Sequence, residues 1–183
     1  MDHFTKIYLF LFFLLSCNLI KAQDITKQDT SNIIYLEKVN SVDDLFGKFR
    51  GNIVYVDFWA SWCGSCLVEF KSEPDLDAFL KSNKIVRLYI ALEKPVSDSA
   101  IQLKNIDKWK KLINKYNLAG YHYYGLLYSD FMHSVTEKIM KGKLSLPRFS
   151  IIDKNGVIVD RDAKRPSNVD GLIKALTKYL NKD

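Results

Sequence analysis

Cys63 and Cys66, separated by two residues, are the side chains of this sequence best suited to chemistry. They follow an apolar run, Ile53 to Trp59, and stand where a helix spanning roughly Gly64 to Ser82 should begin. The first amide N–H groups of a helix have no intrahelical acceptor and carry a partial positive charge. A sulfur placed there is favoured as the thiolate, with a pKa below the free value of about 8.5. Cys63 is therefore the expected nucleophile, exposed at the helix start. Cys66, one turn further in, is placed to attack a mixed disulfide on Cys63 and release a reduced product.

A purely structural disulfide explains the pair less well. Beyond Cys17, these are the only cysteines in the chain. Bridging them closes a four-residue loop. Chain entropy values such a loop at about 2 kcal/mol, against nearly 5 for one of about a hundred residues. Stapled secreted proteins usually separate their cysteines more widely.

The stretch Ile53-Val54-Tyr55-Val56-Asp57-Phe58-Trp59-Ala60-Ser61-Trp62-Cys63-Gly64-Ser65-Cys66 resembles the active-site segment of the thioredoxin superfamily. The resemblance spans roughly residues 33 to 181 and is nearest to the exported TlpA/ResA-like branch. It implies thiol–disulfide oxidoreductase activity with no bound cofactor. It also implies roles for particular residues. Asp57, six residues before Cys63, would deprotonate Cys66 through a bridging water, and an aspartate desolvated in so apolar a run suits proton movement. Pro147, in Leu146-Pro147-Arg148-Phe149-Ser150-Ile151-Ile152-Asp153-Lys154-Asn155-Gly156, would be cis beside the cysteine pair. A cis proline leaves neighbouring backbone, including Leu146, free to pair with an extended substrate. Trp62 would shield the disulfide and contact substrate. Glu69, three residues after Cys66, would tune the thiols or carry a proton, the alternative being a solvated carboxylate. Two positions depart from the family pattern: Ser65 replaces a frequent proline, and Lys71 stands where a kinking proline is usual, with Pro74 following later.

Other chemical readings are weaker. His122 and His133 do not complete a zinc-ligand spacing with the cysteines, so no metal is expected. Trp59, Trp109 and the cluster Tyr121, Tyr123, Tyr124 and Tyr128 read as packing. No cysteine stands among the Thr and Arg that a peroxidase site uses.

These residues need a scaffold. Asn32 to Leu36 reads as an edge strand, and Ser41 caps a short helix with Val42, Leu45, Phe46 and Phe49 on one face. Ile53 to Trp59 and Ile85 to Leu92 read as strands buried on both faces, joined by the 64–82 helix, bent near Pro74, in a right-handed βαβ unit. Ser97 to Tyr116 follows as a helix with a stripe of Ile101, Ile106, Trp109, Leu112 and Ile113. Tyr121 to Tyr128 is a short strand or an ordered loop. Ser129 or Asp130 caps a helix ending near Gly142. Phe149 to Ile152 and Val157 to Asp160 form a hairpin about Asp153-Lys154-Asn155-Gly156, and an amphipathic helix begins at Ser167. The expected fold is α/β: a thioredoxin-like central mixed sheet flanked by helices, with a helical insertion before the cis-Pro hairpin.

The 183 residues divide into 1–22, 23–32 and 33–183. Ile7 to Leu15 is an apolar run with signal-peptide proportions, too short to span a bilayer comfortably. Two processing schemes remain open. Cutting after Ala22 frees a soluble protein, whereas Leu14-Leu15-Ser16-Cys17 resembles a lipoprotein box in which Cys17 is lipidated and tethers the chain. Residues 23–32 are polar and aperiodic, a lead-in to a single domain over 33–183. Losing Asp2, Lys6 and Lys21, a net +1, takes the formal charge from +6 to +5. With no basic run, that surface does not indicate nucleic-acid binding. The destination read from this leader is the periplasm or cell envelope. The partners implied are cysteine-containing envelope proteins, apocytochromes c awaiting haem among them, and a membrane thiol reductase of the DsbD type. A disulfide oxidase or isomerase, and a binding protein with a structural disulfide, stand as alternatives.

Overall fold

The computed structural model describes residues 33–181. The expected leader over 1–22, with Cys17, and the lead-in over 23–32 lie outside the described residues. Six strands form one mixed sheet in the order β1-β4-β3-β2-β5-β6. They are β1 (Ile33–Tyr35), β2 (Val54–Trp59), β3 (Val86–Glu93), β4 (Gly120–Leu126), β5 (Arg148–Ile152) and β6 (Ile158–Asp160). The strands β1, β4, β3 and β2 run parallel, and β5 and β6 are antiparallel additions beside β2. Every residue of β2 and β3 is buried, as their largely apolar runs require of strands covered on both faces, and Asp57, Arg87 and Glu93 are buried with them.

Alternation along the strands sorts the core into two layers. Val54, Val56 and Phe58 of β2 pack with Leu88, Ile90, Tyr121 and Tyr123 beneath α1 (Val42–Gly47) and α5 (Asp130–Lys138). Tyr55, Asp57 and Trp59 point to the opposite layer, which carries the cysteines. There α2 (Gly64–Glu69), a 3-10 turn (Phe70–Ser72), α3 (Glu73–Ser82), α4 (Ser99–Lys115) and α6 (Val169–Leu180) cover the sheet.

The helix expected over 64–82 is thus two helices. Pro74 has no N–H to continue the ladder of α2, so it sits in the first turn of α3 and the chain bends through Phe70–Ser72. Tyr121 to Tyr128 resolves as β4, paired to β1 on one side and β3 on the other. The segment between β3 and the hairpin is therefore α4, β4 and α5. The caps are side chains that free the first-turn N–H groups from lacking a partner: Ser41 for α1, Asp98 for α4, Ser129 for α5 and Asn168 for α6. In the hairpin, Asp153 Oδ1 accepts the amides of Asn155 and Val157 at 2.9 and 2.8 Å.

Gly120 opens β4 with φ of +138°, and a Cβ there would lie 2.7 Å from the Arg87 carbonyl oxygen. That oxygen belongs to β3 backbone and cannot swing aside. Gly120→Ala is expected to destabilise the fold by about 2 kcal/mol, combining backbone strain with a displaced strand. A urea midpoint equal to that of the wild type would contradict this.

Candidate active site

The cysteines stand where β2 leaves the sheet. Trp59 ends the strand, and the chain turns through Ala60, Ser61 and Trp62, closed by the Cys63 amide donating to the Ala60 carbonyl at 3.0 Å. Cys63 is the N-cap of α2, in extended conformation, and its Sγ accepts the Cys66 amide at 3.2 Å. The Ser65 hydroxyl lies 3.5 Å from the same sulfur. Cys63 and Cys66 are joined as a disulfide, with Cα atoms 5.3 Å apart.

Cys63 was expected to be exposed, yet it is only 7 % accessible, against 1 % for Cys66. The order is the expected one, but the bond to Cys66 draws Cys63 against α2 and into the cluster of Trp59, Phe70 and Trp109. Trp62, 44 % exposed, stands beside it with Lys94 Nζ 5.3 Å from its ring centroid. Leu146 packs against the cysteine cluster, and the Leu146–Pro147 bond is cis. Pro147 is buried.

Asp57 is buried on the cysteine side of the sheet, opposite Tyr89 of β3 and Phe149 of β5. Arg87, on the same face, is also buried, its guanidinium carbon 4.6 Å from the Tyr55 ring centroid and 5.1 Å from that of Tyr89. The single charged residue in the run Ile85 to Leu92 was the available signal for Arg87, and the apolar reading of that strand passed over it.

Glu69 is neither solvated nor free. It is buried, and its carboxylate accepts the Ser167 amide at 3.0 Å and the Ser167 hydroxyl at 3.2 Å, with Arg165 Nη1 3.7 Å away. Both oxygens are thus directed to the segment entering α6. Glu69→Ala leaves those donors without their acceptor and is expected to cost about 1–3 kcal/mol. A denaturation midpoint that does not fall would show that these bonds carry no stability.

Other candidates separate cleanly. His122 is fully buried and stacked on Tyr89, whereas His133 is exposed beside Glu137 at 3.4 Å. Among the described residues no group of three or more His, Cys, Asp or Glu is gathered as a metal site. Trp59 and Trp109 are core residues, and Tyr121 and Tyr123 pack on the face away from the cysteines. Tyr124 packs on Trp109 and its hydroxyl accepts from Gln102, while Tyr128 is exposed. One buried acid escaped the sequence reading: Glu93, at the end of β3, whose carboxylate accepts both the amide and the hydroxyl of Ser61. Its position as the last residue of an apolar strand, level with the cysteine turn, was the only sign of it.

Residues 42–176 match the family described as Redoxin. An uncharacterized protein from Haemophilus influenzae is 28% identical over 110 residues, covering 53% of this chain and 70% of its own. A candidate thiol-disulfide oxidoreductase from Bacteroides vulgatus superposes with a TM-score of 0.52 at 25% identity, over 70% of this chain and 81% of that one. The thioredoxin domain of a thiol-disulfide oxidoreductase from the same organism gives 0.52 at 21% identity, over 74% and 84%, a likeness of fold. The sheet and its flanking helices are those of the thioredoxin fold. Among the described residues no helix is long and apolar enough to cross a membrane.

Proposed function

Because the chain belongs to the Redoxin family and is a thiol–disulfide oxidoreductase, we propose that it reduces disulfides of cysteine-containing client proteins in the cell envelope. The observation that carries this reading is the Cys63–Cys66 pair at the cap of α2, with the Cys66 amide directed at Cys63 Sγ. In the dithiol form that N–H stabilises a Cys63 thiolate. The thiolate attacks one sulfur of a client disulfide, the client S–S bond breaks, and the second client sulfur leaves as a thiolate. Cys66, once deprotonated, attacks Cys63 Sγ and expels the first client sulfur. The client has gained two electrons and two protons, and the Cys63–Cys66 disulfide has formed.

Asp57, buried on the face that carries the cysteines, is the group we assign to moving the Cys66 proton. Trp62, Leu146 and Pro147 form the wall against which the client segment lies. Glu69, whose carboxylate is held by Ser167, serves to fix the chain that enters α6. The electron donor fitting an exported reductase is a membrane thiol reductase of the DsbD type, and apocytochrome c thiols awaiting haem are a suitable client class. Export by the leader over 1–22, with or without lipid on Cys17, belongs to the same reading.

Reduction of insulin by dithiothreitol tests the activity. Precipitation of the insulin B chain well above the uncatalysed rate is expected, and a background rate would overturn the proposal. Direction is tested by equilibration with glutathione. A potential below about −200 mV suits a reductase, whereas one near −120 mV would mark a strong oxidant instead.

A further inference from the structure

We infer that Glu93 is a positioning residue for Cys63, acting through Ser61; the inference rests on the thiol–disulfide reading above. Glu93 closes β3 and is 3 % exposed. Its Oε1 accepts the Ser61 amide at 2.6 Å and its Oε2 accepts the Ser61 hydroxyl at 3.0 Å. Both oxygens of one buried carboxylate are therefore committed to one residue. Ser61 is the second residue of the turn Ala60 to Cys63, which places the sulfur at the cap of α2.

The neighbouring residues strengthen the grip. Lys94 sets its ammonium over the ring of Trp62, the third residue of the same turn. Two consecutive residues leaving β3 thus hold the two central residues of the turn that delivers the nucleophile. Glu93 is itself fixed, because its carbonyl accepts the Leu127 amide at 2.8 Å and it pairs with Leu126 of β4. The segment between β3 and the hairpin consequently has a role at the site. By extending the sheet with β4, it anchors the acid that anchors the turn.

Burying a carboxylate costs free energy, and hydrogen bonds to charged groups are the strong ones that offset it. Spending both acceptors on a loop residue fixes the loop in two directions. A thiolate must meet the disulfide sulfur in line, and small misplacements of a reacting atom cost rate steeply. The effect belongs in kcat, since Glu93 bonds Ser61, two residues before Cys63, and acts on the sulfur only through the turn.

The test is insulin reduction with dithiothreitol by the full chain as wild type, Glu93→Ala and Glu93→Gln. Glu93→Ala is expected to lower kcat about tenfold with KM within about twofold, because only the presentation of Cys63 is lost. Glu93→Gln keeps the reach, since its amide oxygen accepts the Ser61 N–H and its NH2 donates to the Ser61 hydroxyl. It is expected to restore kcat to within about twofold of wild type. An unchanged kcat in Glu93→Ala, an effect confined to KM, or equal impairment of both variants would overturn the assignment. Should Glu93→Ala fail to melt cooperatively, Ser61→Ala decides. A loss of about threefold supports the clamp, and an unchanged kcat refutes it. An inactive wild type would instead defeat the functional reading on which the clamp rests.

Discussion

A Cys66→Ala chain is expected to stop after its first chemical step and to accumulate, in cells, a covalent adduct with its clients on Cys63. Steady-state insulin reduction should fall by about a thousandfold or more, since removing one member of a two-sulfur relay removes turnover. The same expectation holds for Cys63→Ala, but without any adduct. The asymmetry follows from position. Cys63 caps α2 and accepts an amide from Cys66, so its sulfur is held as the better nucleophile and leaves more readily. Cys66 lies one turn inside the helix and is the more buried of the two, placed to reach Cys63 but not a client. Without Cys66, the mixed disulfide has no intramolecular attacker of high effective concentration and persists. Two-dimensional gels, non-reducing then reducing, with the adducts identified by mass, give the result directly. Adducts recovered through Cys66 in Cys63→Ala, and none through Cys63, would reverse the roles assigned to the two sulfurs.

The elements that carry this chemistry were legible because local pattern and tertiary environment agree there. Ile53 to Trp59 is apolar but for Asp57, and burial on both faces is what it receives. The two cysteines punctuate the exit of that strand, and a strand exit followed by a helical period locates a cap. The hairpin was equally clear from Asp153 to Gly156, whose turn chemistry is local.

What escaped was non-local. Tyr121 to Tyr128 lacks a pattern that separates a strand from an ordered loop, because its aromatics serve both layers of the core. Tyr121 and Tyr123 face α1 and α5, whereas His122 and Tyr124 face α4. Only pairing with β1 and β3 decides its conformation. Glu69 looked like a helix-surface acid because its partners, Ser167 and Arg165, lie almost a hundred residues away in sequence. Glu93 was invisible for the same reason: an acid ending a strand is ordinarily at the surface, and the turn that covers this one comes from the end of β2. Buried polar groups satisfied by distant partners leave no periodic trace.

His122 provides the second large effect, a loss of stability in mild acid. Its ring is fully buried and lies parallel to Tyr89 with centroids 4.7 Å apart, and the rings of Tyr35 and Trp109 pack beside it at 6.0 and 6.4 Å. Its Nε2 meets the Leu118 carbonyl at 2.9 Å, so in the neutral ring that nitrogen carries the proton. Burial pushes its pKa down from the ordinary value of 6.5 to about 4; the bond to Leu118 opposes this, and the nearby Arg87 charge adds to it. The unfolded chain therefore binds a proton near pH 6.5 that the folded chain refuses until about pH 4. Above 6.5 both states are neutral and the residue contributes no pH dependence. As pH falls from 6.5 towards 4, stability is lost, by about 3 kcal/mol in all. His122→Gln keeps a donor for Leu118 and cannot titrate. It should be less stable than wild type at pH 7.5, because the stacked ring is gone, and the gap should narrow by about 3 kcal/mol by pH 4. Taking the difference between the two proteins cancels the carboxylates that begin to titrate in the same range. Urea midpoints measured every half pH unit would show the convergence, and parallel profiles would mean that His122 already titrates in the folded protein as it does in the unfolded chain.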